Sequence, residues 1–396
     1  MKRAEEIALL ETCLESVKAG RPPATEQESL IPVEHYRDPE RFLLERQVLF
    51  AEQLNVVGHA CEVRRPGDFI TREVSSQPVI VVRGDDGLLR AFLNVCRHRG
   101  AQVAREPRGH CKRFVCPYHA WTYRTDGTLA AARQGSGFPT LDQDESGLVA
   151  LACHELAGLI WVCPDPARGD LDPGPGDRAL AEELGSLLGR STEAEGAVVF
   201  ASAAKTYRAN HKLIVDGGLE SYHFKIAHRN TVAPFFADNV HHYASIGPHT
   251  RTVLPRVELI EAADAPRESW SIRKLAHLVY AIAPNATVLV QEGHFELIVS
   301  TARSVDETHI AIHTVVPDPG PDGFSDKAQA FWAANHAFTK ATLEEDFVLA
   351  EQIQRGLQTG ANTHFRFATF EGALTAWHRR LEERLTERRR NSSGRG

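Results

Sequence analysis

The chain has 396 residues, 42% hydrophobic and 24% charged, with 52 acidic against 45 basic side chains and a net charge of -7. That balance excludes a disordered chain, and the acidic surplus gives no footing to a nucleic-acid partner. No stretch approaches the roughly 18 apolar residues of a membrane span, so no membrane partner is expected, and the length asks for two hydrophobic cores or more.

From the N-terminus, Ala4, Ile7, Leu10, Leu14 and Val17 recur at helical spacing up to Gly20 and the Pro22-Pro23 pair, which predicts a helix over 4–18. A second helix is predicted over 39–50, with Phe42, Leu43, Val48 and Leu49 on its buried side. Met1-Lys2-Arg3-Ala4-Glu5-Glu6 runs into acids with no apolar stretch behind it, so no secretory signal is read there. Residues 1–49 read as helices and a lead-in.

Between 54 and 163 short β-rich runs alternate with turns. Val79–Val82 and Leu88–Leu93 flank Asp85-Asp86-Gly87; Trp121–Tyr123 and Thr128-Leu129 flank Asp126-Gly127; Val149–Cys153 and Leu159–Cys163 are joined around Gly158. These are hairpin signals, and together they predict a small antiparallel β-sandwich over 50–165.

Two Cys-His pairs lie in this stretch, Cys96-Arg97-His98 and Cys116-Pro117-Tyr118-His119, with seventeen residues between His98 and Cys116. Each pair can deliver a thiolate and an imidazole to metal. Zinc accepts the same ligands, but zinc sites of that composition usually group Cys with Cys and His with His. Mixed arms suit a two-iron cluster, in which each arm gives its Cys to one iron and its His to the other. On these residues the chain resembles the Rieske domain of non-haem iron oxygenases, whose signature is Cys-x-His, a gap of similar length, then Cys-x-x-His. The resemblance implies a [2Fe-2S] cluster held by Cys96, His98, Cys116 and His119. A colourless, zinc-held structural module stands as the alternative. Arg97 and Arg99 read equally as cations that tune the cluster or as ordinary solvated loop residues, and Tyr118 and Trp121 as its cover.

Pro164, Pro166, Gly169 and the run Pro173-Gly174-Pro175-Gly176 mark a linker. Beyond it, helix is predicted over 178–188, 325–356 and 370–389, and strand over 197–207, 252–260, 277–283, 286–291, 294–303 and 307–316. That pattern predicts an antiparallel sheet gripping long helices. The resemblance names it a helix-grip catalytic domain, placed over 166–396, and the fold class is α+β.

His223 and His228 stand five residues apart. On an ideal helix five residues advance about 500°, leaving the side chains about 140° apart, so the two converge only where a helix bulges or ends between them. With nineteen His in the chain, that spacing alone carries little weight. Asp216, Glu220, Tyr222, His223 and His228 together match the iron-binding segment of the same family. The resemblance implies a mononuclear non-haem Fe(II) on His223, His228 and a distant carboxylate. Glu344, Glu345, Asp346 and Glu351 offer that carboxylate, and the family's Glu-Asp pattern before Gln354-Arg355-Gly356-Leu357 assigns it to Asp346. Two His and one carboxylate on one face leave positions open for O2. Glu220 is implied to bridge the cluster of one subunit to the iron of its neighbour. Asp216 is taken with Glu220 as a candidate catalytic acid.

The resemblance runs from about residue 30 to 385 and implies the α component of a Rieske oxygenase. Such a chain is a homotrimer fed by an NAD(P)H-dependent reductase or ferredoxin, using O2 to oxidise a small organic substrate. Phe235, Phe236, His241, His242, Tyr243, Val288, Val290, Phe295 and Leu297 are candidate pocket residues. Apolar, aromatic lining suits an aromatic ring, and also suits a quaternary ammonium group, which the family's N-demethylating and betaine-oxidising members take. A Rieske electron-transfer protein joined to a ligand-binding domain is the rival from another class. Cys13, Cys61, Cys111, Cys153 and Cys163 lack framework spacing and read as free thiols of a cytoplasmic protein.

Overall fold

The computed structural model describes residues 1–192 and 196–393. The chain divides into two compact units, one of 49–174 and one that joins 1–48 to the chain from 175 onward. Among the described residues no helix is long and apolar enough to cross a membrane, and all seven Cys are free.

The unit over 49–174 is built of short antiparallel strands. Its five-stranded sheet runs in the order Ala150–Leu151, Leu89–Leu93, Gln77–Arg83, Asp68–Val74, Arg108–His110. Successive side chains of a strand point to opposite faces. Val79 and Val81 accordingly pack with Ile70, Ile160 and Val162 on one side, while Ile80 and Val82 pack with Phe92, Phe114, Trp121 and Tyr123 on the other. The first side is closed by the three-stranded sheet Cys153–Leu156, Leu159–Val162, Asn55–His59, and Phe114 and Tyr123 of the second belong to a small sheet of Phe114–Val115, Thr122–Tyr123 and Leu129–Ala131. Cys96 and Cys116 are members of that second core.

The run Val149–Cys153, expected as one arm of a hairpin, is shared between two sheets. Ala150–Leu151 pairs with Leu89–Leu93, and only Cys153–Leu156 pairs with Leu159–Val162. Ala157 and Gly158, at φ 50 and 76, form the two-residue turn, the left-handed pair that matches strand twist in a tight hairpin.

In the larger unit, helix α1 (Arg3–Ala19) buries Leu10, Cys13 and Leu14 and leaves Ala4 exposed. Gly20, at φ 63, ends it by donating its N–H to the Ser16 and Val17 carbonyls. Helix α2 (Pro39–Glu45) starts where the Asp38 carboxylate accepts the Glu40 N–H at 2.9 Å. It stops earlier than predicted, because the chain widens into a π-helical turn over Arg46–Ala51. The changed pitch leaves Leu43 exposed and buries Val48, Leu49 and Phe50. Helix α3 (Pro175–Thr192) begins inside the predicted linker, with Pro175 in its first turn, where the missing N–H costs nothing. Its Leu180, Leu184, Leu187 and Leu188 form one buried stripe.

A seven-stranded antiparallel sheet follows, in the order Ala197–Tyr207, Glu307–Pro317, Phe295–Ser304, Ala286–Val290, Ala276–Ile282, His249–Pro255, His242–Ile246. The predicted strand over 252–260 stops at Pro255, and Glu258–Glu261 is a helical turn. Helices α4 (His211–Gly217), α5 (Asp326–Leu357) and α6 (Gly372–Ser393) complete the unit. Residues 1–48 are part of this fold: Ser29–Pro32 pairs antiparallel with His364–Phe367.

Candidate active site

Asn210 caps α4, its side chain accepting the Lys212 N–H at 3.0 Å, and the helix ends at Gly217-Gly218. The chain then turns through Glu220 and Ser221 into a single helical turn, Phe224–Ala227. His223 stands at the N-terminal boundary of that turn and His228 at its end, where φ -101 and ψ 22 leave the helical region. The helix therefore does end between the two His, and their Nε2 atoms lie 3.2 Å apart. Asp346, on α5, brings Oδ1 to 2.9 Å from His228 Nε2 and 3.4 Å from His223 Nε2. A metal about 2.1 Å from each donor on perpendicular axes sets the donors about 3 Å apart, which is the triangle found. Among the described residues this is the one group of three His, Cys or acidic side chains whose donor atoms all lie within 4.8 Å of one another.

Both rings are oriented from behind by carboxylates. His223 Nδ1 meets Glu220 Oε1. His228 Nδ1 lies 2.7 Å from Glu345 Oε2, which also accepts from the Thr231 hydroxyl at 2.7 Å. With Nδ1–H committed to a carboxylate, the Nε2 lone pair faces the shared point. Burial works against a proton on His223, but the hydrogen bonds to Asp346 and Glu220 outweigh it and hold the ring up at about 10. His228 is raised against burial by Asp346 and Glu345, and Asp346 is lowered by the two His despite its own burial. These directions describe a site with surplus negative charge, where a cation can take the place of the protons.

The other Glu220 oxygen turns back to accept from the Tyr222 and His223 backbone N–H groups. Asp216 lines a cavity of about 510 Å³ together with Glu220, His223, Asp346 and Glu371. Its carboxylate is engaged: Oδ2 accepts from the Tyr36 hydroxyl at 2.7 Å and Oδ1 lies 3.0 Å from His378 Nε2. Neither Tyr36 nor His378 was marked by any motif.

A second cavity, of about 260 Å³, opens on His228 and Asp346 and is walled by Phe224, Phe235, Phe236 and Phe338. Phe235 and Phe236 are where the sequence reading placed them; the remaining pocket candidates are not. His241 is buried with its Nδ1 on the Ser221 hydroxyl, His242 contacts Ser16, and Tyr243 points outward. Val288 and Val290 are buried on the opposite face of their strand, and Leu289 between them lines the cavity with Leu254 and Val279. A one-residue shift in a period of two exchanges the faces. Phe295 and Leu297 are fully buried and also absent from the lining.

In the smaller unit, Cys96 and Cys116 sit on loops closed by backbone bonds: Gly100 N–H to Cys96 O at 2.9 Å, Ala120 N–H to Cys116 O at 2.9 Å, and Cys116 N–H to Trp121 O at 2.8 Å. Tyr123 Oη lies 3.3 Å from Cys96 Sγ and accepts the Arg97 N–H at 3.0 Å. The His98 and His119 rings lie 4.7 Å apart; Trp121 stacks on His98 at 5.0 Å and Tyr118 on His119 at 3.8 Å, with Arg99 over Tyr118. His119 Nδ1 is buried without a hydrogen-bond partner. These donors are not among the groups that converge within 4.8 Å, so they fit a two-iron cluster spanning the gap better than a single zinc ion.

A family model for the Rieske [2Fe-2S] domain matches residues 53–142, and one for the ring hydroxylating alpha subunit catalytic domain matches 191–387. The chain is 36% identical over 211 residues to the carnitine monooxygenase oxygenase subunit of Acinetobacter baumannii, covering 53% of this chain and 54% of that protein. It is 30% identical over 259 residues to the anthranilate 1,2-dioxygenase large subunit of Acinetobacter baylyi, covering 64% and 54%. The matches thus span about half the length of these curated relatives. Among solved structures, a quaternary ammonium Rieske monooxygenase bound to L-carnitine superposes with a TM-score of 0.74 at 23% identity, over 90% of this chain and 94% of that one. Naphthalene 1,2-dioxygenase from Rhodococcus bound to indole gives 0.74 at 19% identity, over 96% and 98%; at these identities the likeness is one of fold. Both domain models matched in sequence order place this chain in the alpha-subunit family of Rieske non-haem iron oxygenases, whose members carry a [2Fe-2S] cluster and a mononuclear iron.

Proposed function

We propose that this chain is the terminal oxygenase component of a Rieske oxygenase system, with the cluster on Cys96, His98, Cys116 and His119 and the mononuclear iron on His223, His228 and Asp346. When bound, the cluster relays single electrons and the iron activates O2 beside the substrate. The chain's own part is placement. Glu220 and Glu345 hold the Nδ1 protons so that Nε2 of each His is free for metal, and the Phe-walled cavity orients the substrate and keeps water out. Electrons come from an NAD(P)H-dependent reductase or a ferredoxin, and Glu220 is the residue through which a neighbouring cluster reaches this iron in a homotrimer.

The observation that carries this reading is the His223, His228 and Asp346 donor triangle opening on that cavity. Iron content tests it. His223→Ala is expected to lose about a third of the iron per chain, with the cluster's visible absorption intact and turnover abolished. Unchanged iron and turnover in the variant would overturn this ligand assignment, whereas an unaltered chain that holds two irons and not three would be an electron carrier with a ligand-binding domain.

The Phe walls favour an aromatic ring as the body of the substrate, a reading supported by the anthranilate relative. A second reading, N-demethylation or hydroxylation of a quaternary ammonium compound, is favoured by the carnitine and glycine betaine monooxygenase relatives. Substrate-stimulated O2 uptake with a surrogate reductase, run on aromatic acids and methylated amines side by side, separates them.

A further inference from the structure

We propose that Arg256 anchors a carboxylate of the substrate, so that the Phe-walled cavity takes a small organic acid: its carboxylate on the Arg256 guanidinium, its apolar body along Phe236 and Phe224, and its reacting end at His228 and Asp346. This deepens the oxygenase reading and rests on the cavity being the substrate site.

Arg256 is the only Arg or Lys among the described residues lining the cavity. Its Nε is buried with no hydrogen-bond partner, and its guanidinium carbon lies 5.9 Å from the centroid of the Phe236 ring. Glu258, two residues on, has a buried Oε2 that accepts no hydrogen bond, from Arg256 or from any other donor. The cavity's two acids are turned elsewhere, Glu220 to His223 and Asp346 to both His. The buried Nε–H has no acceptor in the protein, which is costly unless a ligand supplies one, and the planar fork of this half-buried guanidinium matches a carboxylate.

The position is held by backbone. Arg256 N–H donates to Leu275 O at 2.9 Å, Arg256 bridges to Phe236, and Val257 N–H donates to Phe235 O at 3.1 Å. His277 shares the cavity; burial first, then Arg256, pushes it down to about 3, so it stays neutral and adds no second charge. Ring contacts lead from this end to the metal ligands: Arg256 to Phe236, Phe236 to Phe224 at 5.6 Å, Phe224 to His228 at 5.3 Å. A ligand anchored on Arg256 therefore lies along two phenyl rings to reach the iron. A purely cationic ligand would meet the uncompensated guanidinium.

An aromatic acid and an ammonium-bearing acid share this carboxylate, and two probe pairs separate them: benzoate with benzamide, and glycine betaine with tetramethylammonium. Binding to the holoenzyme is measured by calorimetry, alongside O2 uptake. In the unaltered protein at least one acid is expected to bind about tenfold to a hundredfold more tightly than its partner lacking the carboxylate. Arg256→Gln should erase that gap, and Arg256→Lys should keep part of it, with iron content and cluster absorption unchanged in both. A gap that persists in Arg256→Gln, or no preference for either acid in the unaltered protein, overturns the proposal. Failure of the oxygenase reading would show separately, as absent mononuclear iron and absent O2 uptake, with the binding comparison still readable.

Discussion

Both imidazoles proposed to hold the iron give Nδ1 to a carboxylate, His223 to Glu220 and His228 to Glu345, and that choice leaves Nε2 of each for the cation. Glu345 is the less expected of the two supports. It precedes Asp346 on α5 and from spacing alone could equally have been a solvated side chain. The structure puts it 2.7 Å from His228 and gives it Thr231 as a second contact. Such outer partners fix the tautomer and raise ligand basicity, and their loss typically lowers metal affinity about 10- to 100-fold. Glu345→Ala is accordingly expected to lose the mononuclear iron to a chelator at a concentration about 10- to 100-fold lower than the unaltered chain requires, with the cluster's absorption unchanged. Equal retention of iron would reduce Glu345 to a surface carboxylate.

At the scale of elements, α4 matters because the proposed metal-binding segment hangs from its C-terminal end, and a buried ion pair fixes it to α2. Lys212 Nζ lies 2.5 Å from Glu45 Oε2, with both side chains fully buried, and Arg41 approaches the other Glu45 oxygen at 2.8 Å. Burial lowers Lys212, and the Glu45 carboxylate opposes that shift. Removing one member of such a pair costs about 3–5 kcal/mol, whereas replacing both with apolar groups is often neutral. Glu45→Gln should therefore lower the urea midpoint sharply, and Glu45→Leu with Lys212→Met should restore most of it; a single variant as stable as the parent would contradict this. The sequence shows these elements only in part. Apolar periodicity located α1, α5 and the strand at 286–291, because burial of one face imposes it. It could not assign faces within that strand, since Val288, Leu289 and Val290 are all apolar and only the packed sheet points Leu289 at the cavity. Lys212 and Glu45 lie 167 residues apart, and no local pattern joins them.

The whole molecule is two units with separate cores, and the first 48 residues belong to the larger one. The Cys-x-His and Cys-x-x-His arms were legible because each is local and both lie in one short unit. Of the proposed mononuclear site, His223 and His228 were marked by their local segment and the distant Asp346 only through the family's Glu-Asp pattern; Arg256, Tyr36 and His378 come from distant stretches with ordinary local sequence. That division has a testable consequence. Residues 49–174 carry their own apolar clusters on both faces of a central sheet, in a length at which single domains commonly fold alone. Residues 1–48 instead contribute Leu10, Leu14, Tyr36 and Phe42 to the larger unit's interior, and a strand paired with His364–Phe367. Four large side chains at about 1.5–3 kcal/mol each come to about 6–12 kcal/mol, comparable with the entire stability of a typical domain. Deleting 1–48 should therefore leave the cluster's visible absorption in place while abolishing the cooperative thermal unfolding and the mononuclear iron of the larger unit. An isolated 49–174 fragment should fold and hold the cluster by itself. If the deletion bleaches the cluster, or if the larger unit unfolds at an unchanged temperature without its first 48 residues, the assignment of that segment to the larger unit is wrong.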